Sequence, residues 1–136
     1  MNRRVVITGM GVISPVGNTL ETFWESLVNG RSGIKPLKNF DTTEYPSKIA
    51  GIVESFQPEQ YIAPKEARRM DRFSQFAFAA SKMAIEHSGI VLEQVDREMF
   101  GVLIGSGVGG LSIIEEQHFV VIEKGPKRLS PFFIPM

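Results

Sequence analysis

A glycine-rich loop between an apolar run and a helical pattern limits what this chain can fold into. The apolar residues 100–104 lead into Gly105, Gly107 and Gly110, and an amphipathic pattern follows from 111 to 123. The three glycines fit G-x-G-x-x-G after a strand and before a helix, which is the context of a dinucleotide-binding turn. The other interpretation is that glycines let the backbone approach another element or an apolar ligand closely.

The residues after this predicted helix decide between the two interpretations. A dinucleotide site requires an acidic residue at the end of the next strand, about 20 residues further on, to hold the ribose. The chain instead has the turn "EKGPKRLS", in which Lys127 and Arg128 would suit a 2′-phosphate but stand on no strand. We therefore favour the close-approach interpretation and keep a nucleotide-binding oxidoreductase domain as the alternative.

Strands alternate with helices along the rest of the chain, with no repeat or linker that divides it. Strands are predicted at residues 3–8 and 48–53, and a helix is predicted from Leu20 to Val28, capped by Asn18 or Thr19 and ended by Asn29 and Gly30. A long helix is predicted from Pro64 to Ser88. The 3-4-3-4 spacing of five of its residues predicts close packing against a neighbour; they are Met70, Phe73, Ala77, Ala80 and Ala84.

The first turns of this long helix carry a basic stripe. Lys65, Arg68, Arg69 and Arg72 recur at helical spacing and are predicted to share one face. An ordinary solvated face explains such a stripe, and so does a surface that docks an acidic protein or a phosphate group.

Composition excludes several classes of function. Fifteen basic residues balance fifteen acidic ones and the pI is near 6.7, which argues against a dedicated nucleic-acid binder. The 136 residues contain no cysteine, and His87 and His118 stand far apart, so neither a thiol nucleophile nor a zinc site is predicted within them. No apolar run reaches the roughly 18–20 residues that span a bilayer, and a cytoplasmic protein is expected.

The histidines and the chain end have structural interpretations. His118 is predicted on an apolar helix face as a core or interface residue, and His87 in the last turn of the long helix, where the dipole favours it. No catalytic constellation is predicted within the 136 residues. The apolar end "SPFFIPM" is interpreted as a chain that stops in mid-fold, or as a tail docked on a partner.

Five segments in order resemble one family. "RRVVITGMGVISPVGNT", "WESLVNGRSGI", "RRMDRFSQFAFAAS", "GVLIGSGVGG" and "GPKRLSPFFIPM" are similar to the amino-terminal part of the β-ketoacyl-acyl carrier protein synthases, above all the synthase II type of fatty-acid elongation. The resemblance covers all 136 residues, about a third of the length of a family member. It implies an α/β, thiolase-like layered fold, of which residues 1–136 form most of the first half.

The resemblance also implies the chemistry. In the family, a cysteine at a helix N-terminus is acylated, two histidines promote decarboxylation of the malonyl-carrier thioester and a lysine supports the site. All four belong to positions beyond Met136, so this stretch is expected to be inactive alone although its parent is an acyltransferase. The resemblance implies a homodimer, and it implies no cofactor or metal.

Two groups of residues correspond to family positions with functions in binding. Val108 corresponds to the wall of the acyl pocket that limits chain length, and Phe133 to an aromatic residue that reaches the pocket across the dimer interface. Five cations correspond to the docking surface for the acidic acyl carrier protein: Lys65, Arg68, Arg69, Lys127 and Arg128. A non-catalytic interaction module, in which the fold and the cations persist without the chemistry, is a further alternative, and a polyketide pathway stays open.

Overall fold

A computed structural model describes residues 3–134 of the chain. In this range four α-helices follow one another: α1 (Leu20–Val28), α2 (Pro64–Ala67), α3 (Arg72–Ser88) and α4 (Leu111–Lys124). A small antiparallel sheet pairs β1 (Ile34–Pro36) with β2 (Ile49–Gly51), in a register that sets Ile34 opposite Gly51. Short 3-10 turns occupy Pro58–Gln60, Leu92–Gln94 and Pro126–Arg128.

Helix α1 has the predicted bounds because both of its ends are specified locally. Thr19 is the N-cap, and its side chain accepts from the Thr22 N–H in a reciprocal capping box. Of the two predicted caps, Thr19 is confirmed and Asn18 is wrong. Asn29 ends the helix, and Gly30 follows with φ of 62°.

The predicted long helix is interrupted. Helix α2 ends at Ala67 and α3 begins at Arg72, because Asp71 has the extended backbone of an N-cap (φ −66°, ψ 161°) and its carboxylate accepts the Arg72 N–H. The predicted C-terminal end is confirmed, with Gly89 left-handed at φ of 66°. A single stripe through all four predicted cations is consequently wrong.

The strand predictions fail at residues 3–8 and 100–104, neither of which forms a strand. Val5 is 89% exposed and Leu103 98% exposed. Composition indicates which residues suit a strand, but hydrogen bonds from a neighbouring strand are what form one. The predicted strand at 48–53 shortens to β2, and its partner β1 is a strand that was not predicted.

Helix α3 packs against the segment before α1 with backbone in direct contact. A Cβ atom on Gly11 would lie 2.0 Å from the Ala80 carbonyl oxygen, so only glycine fits there. The Met10 N–H donates to Nδ1 of His87 at 3.0 Å, which puts the proton of a neutral ring on Nε2. Ala79, on the same helix, is fully buried.

Helix α4 buries a different face from the predicted one. Gln117 is buried, and its Oε1 accepts the Ser130 N–H at 2.9 Å, which ties the helix to the segment after it. His118 is exposed, as are Ile114 and Ile122. Of the two predicted positions for this histidine, the core is wrong and an interface stays a prediction. Among residues 3–134, no helix is long and apolar enough to cross a membrane.

Candidate functional site: two apolar clefts beside a basic surface

The start of α3, the start of α4 and the segment 133–134 enclose an apolar cleft of about 260 Å³, here called the Phe133 cleft. Apolar side chains and one glycine line it: Phe73, Gly110, Ile113, Ile114, Phe133 and Ile134. Phe133 is half-buried, and it reaches α4 because the Gln117–Ser130 hydrogen bond turns the chain back along that helix. The cleft has the lining of a site for a hydrocarbon group.

A second apolar cleft, of about 280 Å³, is also lined by Phe73 and is here called the Ile104 cleft. Side chains of α3 form one wall and the start of the glycine loop forms the other. Its lining consists of Ile13, Phe73, Phe76, Ala77, Ala80, Ile104, Gly105 and Ser106.

The glycine loop is open at its start and crowded at its end. A Cβ atom on Gly105 or Gly107 would meet nothing within 4 Å, whereas one on Gly110 would lie 2.6 Å from Oδ2 of Asp71. Close approach therefore occurs at Gly110, between α4 and the cap of α3. Val108, on the same loop, is 73% exposed.

Asp71 also argues against a dinucleotide at this loop. Its Oδ2 is buried without a hydrogen-bond partner in the described part of the chain, directly against the N-cap of α4. A pyrophosphate would have to approach this helix N-terminus, where a carboxylate already provides negative charge. Helix α4 is followed by the turn Pro126–Arg128 rather than by a strand that ends in an acid. The nucleotide-binding alternative is not supported.

The predicted docking cations differ in what they contact. Lys65 and Arg68 are exposed on and just after α2. Arg69 places its guanidinium 4.3 Å from the ring centre of Phe132, in cation–π geometry. Arg72 instead lies over the Phe76 ring at 5.0 Å and donates to the Val53 carbonyl, so it braces α3.

The second cationic pair lies on the turn after α4. Lys127 and Arg128 are exposed on Pro126–Arg128, which packs against α4 and begins after Gly125 with φ of 82°. Among residues 3–134, the acid–base ion pairs are Arg31–Glu25 and Lys35–Glu54. The five predicted docking cations are therefore without an acidic partner in that range and available to an external anion.

One predicted docking cation, Arg69, and the Phe133 cleft are joined by two consecutive residues. Phe132 lies under the guanidinium of Arg69, and Phe133 lines the cleft. Phe133 was predicted to be a binding residue, and the structure places it in an apolar cleft. Phe132 was not singled out, and Phe73 was predicted only to pack the helix. No sequence signal points to the contacts of these two residues, since the contacts join segments far apart in the chain.

A third cleft, of about 530 Å³, runs along α1 and contains two titratable groups. Glu21 and His87 line it together with apolar side chains that include Trp24. The pKa of Glu21 is held below its ordinary value, first by a hydrogen bond to its own backbone N–H at the start of α1 and then by the Thr19 side chain. Within residues 3–134, no three acidic or histidine side chains gather as metal ligands would.

Known proteins are similar to the chain over nearly its whole length. Residues 2–136 match the family described as "Beta-ketoacyl synthase, N-terminal domain". A 3-oxoacyl-[acyl-carrier-protein] synthase 2 of Vibrio cholerae is 50% identical over 133 residues, which are 98% of this chain and 32% of that protein. The corresponding synthase 2 of a Synechocystis strain is 46% identical over 134 residues, again 98% of this chain and 32% of that protein.

Solved structures agree on the fold. The ishigamide ketosynthase/chain length factor superposes with a TM-score of 0.82 at 30% identity, over 98% of this chain and 34% of its own. The structural neighbours are thiolase-like ketosynthases, as the sequence predicted. The chain spans about a third of the length of the curated relatives it matches.

Proposed function

The chain belongs to the β-ketoacyl synthase family, by its match to the N-terminal domain, and we propose that it is the amino-terminal part of a 3-oxoacyl-[acyl-carrier-protein] synthase. Such a protein is a transferase of fatty-acid biosynthesis. It elongates an acyl chain by decarboxylative condensation of an acyl-enzyme with the malonyl thioester of the carrier protein.

One observation carries this proposal beyond family membership: Phe132 and Phe133 join a cationic surface to an apolar cleft. A fatty acyl chain on an acidic carrier protein requires both features side by side. The cations attract and orient the carrier, and the cleft removes the hydrocarbon from water at about 0.8 kcal/mol for each CH₂ group.

The site residues have separate functions in this proposal. Phe133 reaches the acyl pocket across the dimer interface, and Val108 limits the length of the pocket from the glycine loop. Lys65, Arg68 and Arg69 dock the carrier from one side, and Lys127 and Arg128 from the other. Residues 1–136 supply binding surfaces and no nucleophile, since they contain no cysteine, so the stretch is inactive alone.

The whole protein is proposed to be a cytoplasmic homodimer that takes its acyl and malonyl groups from an acyl carrier protein. Both relatives, from Vibrio cholerae and Synechocystis, are named as acyl-carrier-protein synthases, which supports this carrier as the partner. The proposal involves no cofactor, metal, nucleic acid or membrane.

A condensation assay tests the proposal. The protein is expressed from the complete reading frame that encodes these residues and supplied with acyl- and malonyl-carrier protein. We expect carbon dioxide and a 3-oxoacyl-carrier protein two carbons longer than the acyl substrate. A folded protein that forms no such product from any acyl length would contradict the proposed function.

A further inference from the structure

One predicted docking cation, Arg69, is held by an aromatic ring while its N–H groups stay free. Its guanidinium carbon lies 4.3 Å from the centre of the Phe132 ring, within the range of a cation–π contact. Arg72 also lies over a ring, that of Phe76, but it donates to the Val53 carbonyl as well. Arg69 is exposed, and within residues 3–134 its side chain forms no ion pair.

The turn that carries this ring is fixed without help from the arginine. The Ser130 N–H donates to Oε1 of Gln117 at 2.9 Å, and Gln117 is buried on α4. The Phe132 N–H donates to Oγ of Ser130 at 3.2 Å, and the Phe133 N–H donates to the Ser130 carbonyl at 3.0 Å. The ring therefore has a set position, onto which the long side chain of Arg69 settles.

A ring over a guanidinium leaves the edge of that group open. The guanidinium is planar, and its N–H donors point outward in the plane, in a fork that matches a carboxylate. The Phe132 ring contacts the face of the Arg69 guanidinium, so an incoming carboxylate does not compete with it. A side chain that is already ordered also loses less conformational freedom when it binds.

We propose that Phe132 is a positioning residue, whose ring orients the guanidinium of Arg69 for a carboxylate of the acidic carrier protein before that protein arrives. Phe132 acts through Arg69 and does not itself bind the carboxylate. This inference rests on the proposed function. It distinguishes Arg69 from Lys65 and Arg68, which are exposed and lie over no ring among residues 3–134.

Removing the ring is expected to weaken carrier binding. In the protein from the complete reading frame, Phe132→Leu and Phe132→Met each raise the Kd for acyl-carrier protein by about two- to tenfold, the cost of ordering one free side chain. Phe132→Tyr keeps a ring and retains the Kd of the unsubstituted protein. The measurement is a calorimetric titration at low salt, with a thermal melt of each variant to confirm folding.

A double substitution separates positioning of the arginine from a general effect on the turn. In an Arg69→Gln background, Phe132→Leu changes the Kd by less than about twofold, because no guanidinium is left to orient. Phe78→Leu is the matched control, since Phe78 is an exposed ring on α3 that lies under neither Arg69 nor Arg72. Its Kd is expected to equal that of the unsubstituted protein.

Two results would overturn the inference and leave the proposed function intact. One is an unchanged Kd in a folded Phe132→Leu or Phe132→Met variant. The other is a rise of the same size when Phe132→Leu is made in the Arg69→Gln background, which would show that the ring acts on the shape of the turn alone. An unsubstituted protein that binds no acyl-carrier protein would overturn the proposed partner as well.

Discussion

At the scale of single residues, Arg69 differs from the other docking cations because it is already in contact with an aromatic ring. Its guanidinium lies over Phe132, a contact that contributes about 0.5–1 kcal/mol at an exposed site. Lys65 and Arg68 are exposed. Charge reversal at Arg68 therefore tests docking alone, whereas reversal at Arg69 also removes a contact beside the cleft.

Reversing the charge at Arg68 is expected to weaken carrier docking selectively. Arg68→Glu raises the KM for acyl-carrier protein by about two- to fivefold at low salt, the effect of one exposed ion pair. The effect fades at high salt, because exposed charges are then screened. Lys82→Glu, the same change at an exposed position further along α3, is the control. Equal KM values for the two variants would contradict the docking assignment.

Enlarging Val108 is expected to shorten the acyl chains accepted. Val108 is 73% exposed on the glycine loop, so a phenylalanine there has room to extend toward bound substrate without overpacking a core. Val108→Phe lowers kcat/KM for the longest acyl-carrier proteins and spares the shortest. Val91→Phe, at another exposed valine, is the control. A chain-length profile that matches this control would show that Val108 does not limit the pocket.

At the scale of elements, the contact between Gly110 and Asp71 joins the N-termini of α3 and α4. Asp71 caps α3 with one carboxylate oxygen and sets the other against the N-cap of α4. Negative charge at two helix N-termini is favourable, because the macrodipoles point their positive ends there. The contact fixes where the Phe133 cleft opens.

A methyl group at Gly110 is expected to break this contact. Gly110→Ala places Cβ 2.6 Å from Asp71 Oδ2 and lowers the free energy of unfolding by about 1–3 kcal/mol, as overpacking does. In Gly107→Ala the added methyl group enters open space, and the free energy of unfolding changes by about 0.5 kcal/mol or less. Denaturant unfolding of the complete protein measures both. Similar stabilities for the two variants would refute the close approach.

The helices and strands also show which parts of the fold can be predicted from the sequence. Helix α1 was predicted correctly because Thr19, Asn29 and Gly30 act locally, within one turn of its ends. The break at Asp71 was missed because the apolar spacing continues through it, although an aspartate is a strong N-cap. The strands at 3–8 and 100–104 were wrong because pairing depends on distant neighbours, which propensity does not report.

The candidate site, like the fold, contains residues that were predicted from the sequence and residues that were not. The docking cations and Phe133 are predictions from the family resemblance, since each lies in a segment that the sequence displays. The contact of Phe132 with Arg69 and the position of Phe73 in the lining of two clefts were not predicted. Both depend on α3 and the segment after α4 coming together, which a linear pattern cannot show.

At the scale of the whole molecule, the 136 residues expose more surface than a compact protein of their size. Their accessible area is 11186 Å², whereas the scaling law for folded monomers gives roughly 7,100 Å² for 15.1 kDa. The buried apolar residues in the described range are few: Phe56, Ile62, Ala67 and Ala79. The remaining apolar faces are available for contact with further protein.

The isolated 136 residues are therefore expected to bind an apolar dye or to aggregate, since large exposed apolar patches behave in this way. Dye fluorescence and light scattering of the purified stretch measure this directly. The complete protein is the control and is expected to bind little dye. A monomeric stretch with a sharp thermal transition would contradict the expectation.

Photo-crosslinking with an acyl chain tests the central claim most directly. An acyl-carrier protein with a diazirine at the end of its acyl group is bound to the complete protein, irradiated and mapped by peptide mass spectrometry. The account predicts crosslinks at the two pocket residues, Val108 and Phe133, that excess unlabelled acyl-carrier protein suppresses. Suppressible crosslinks that include neither residue would contradict it.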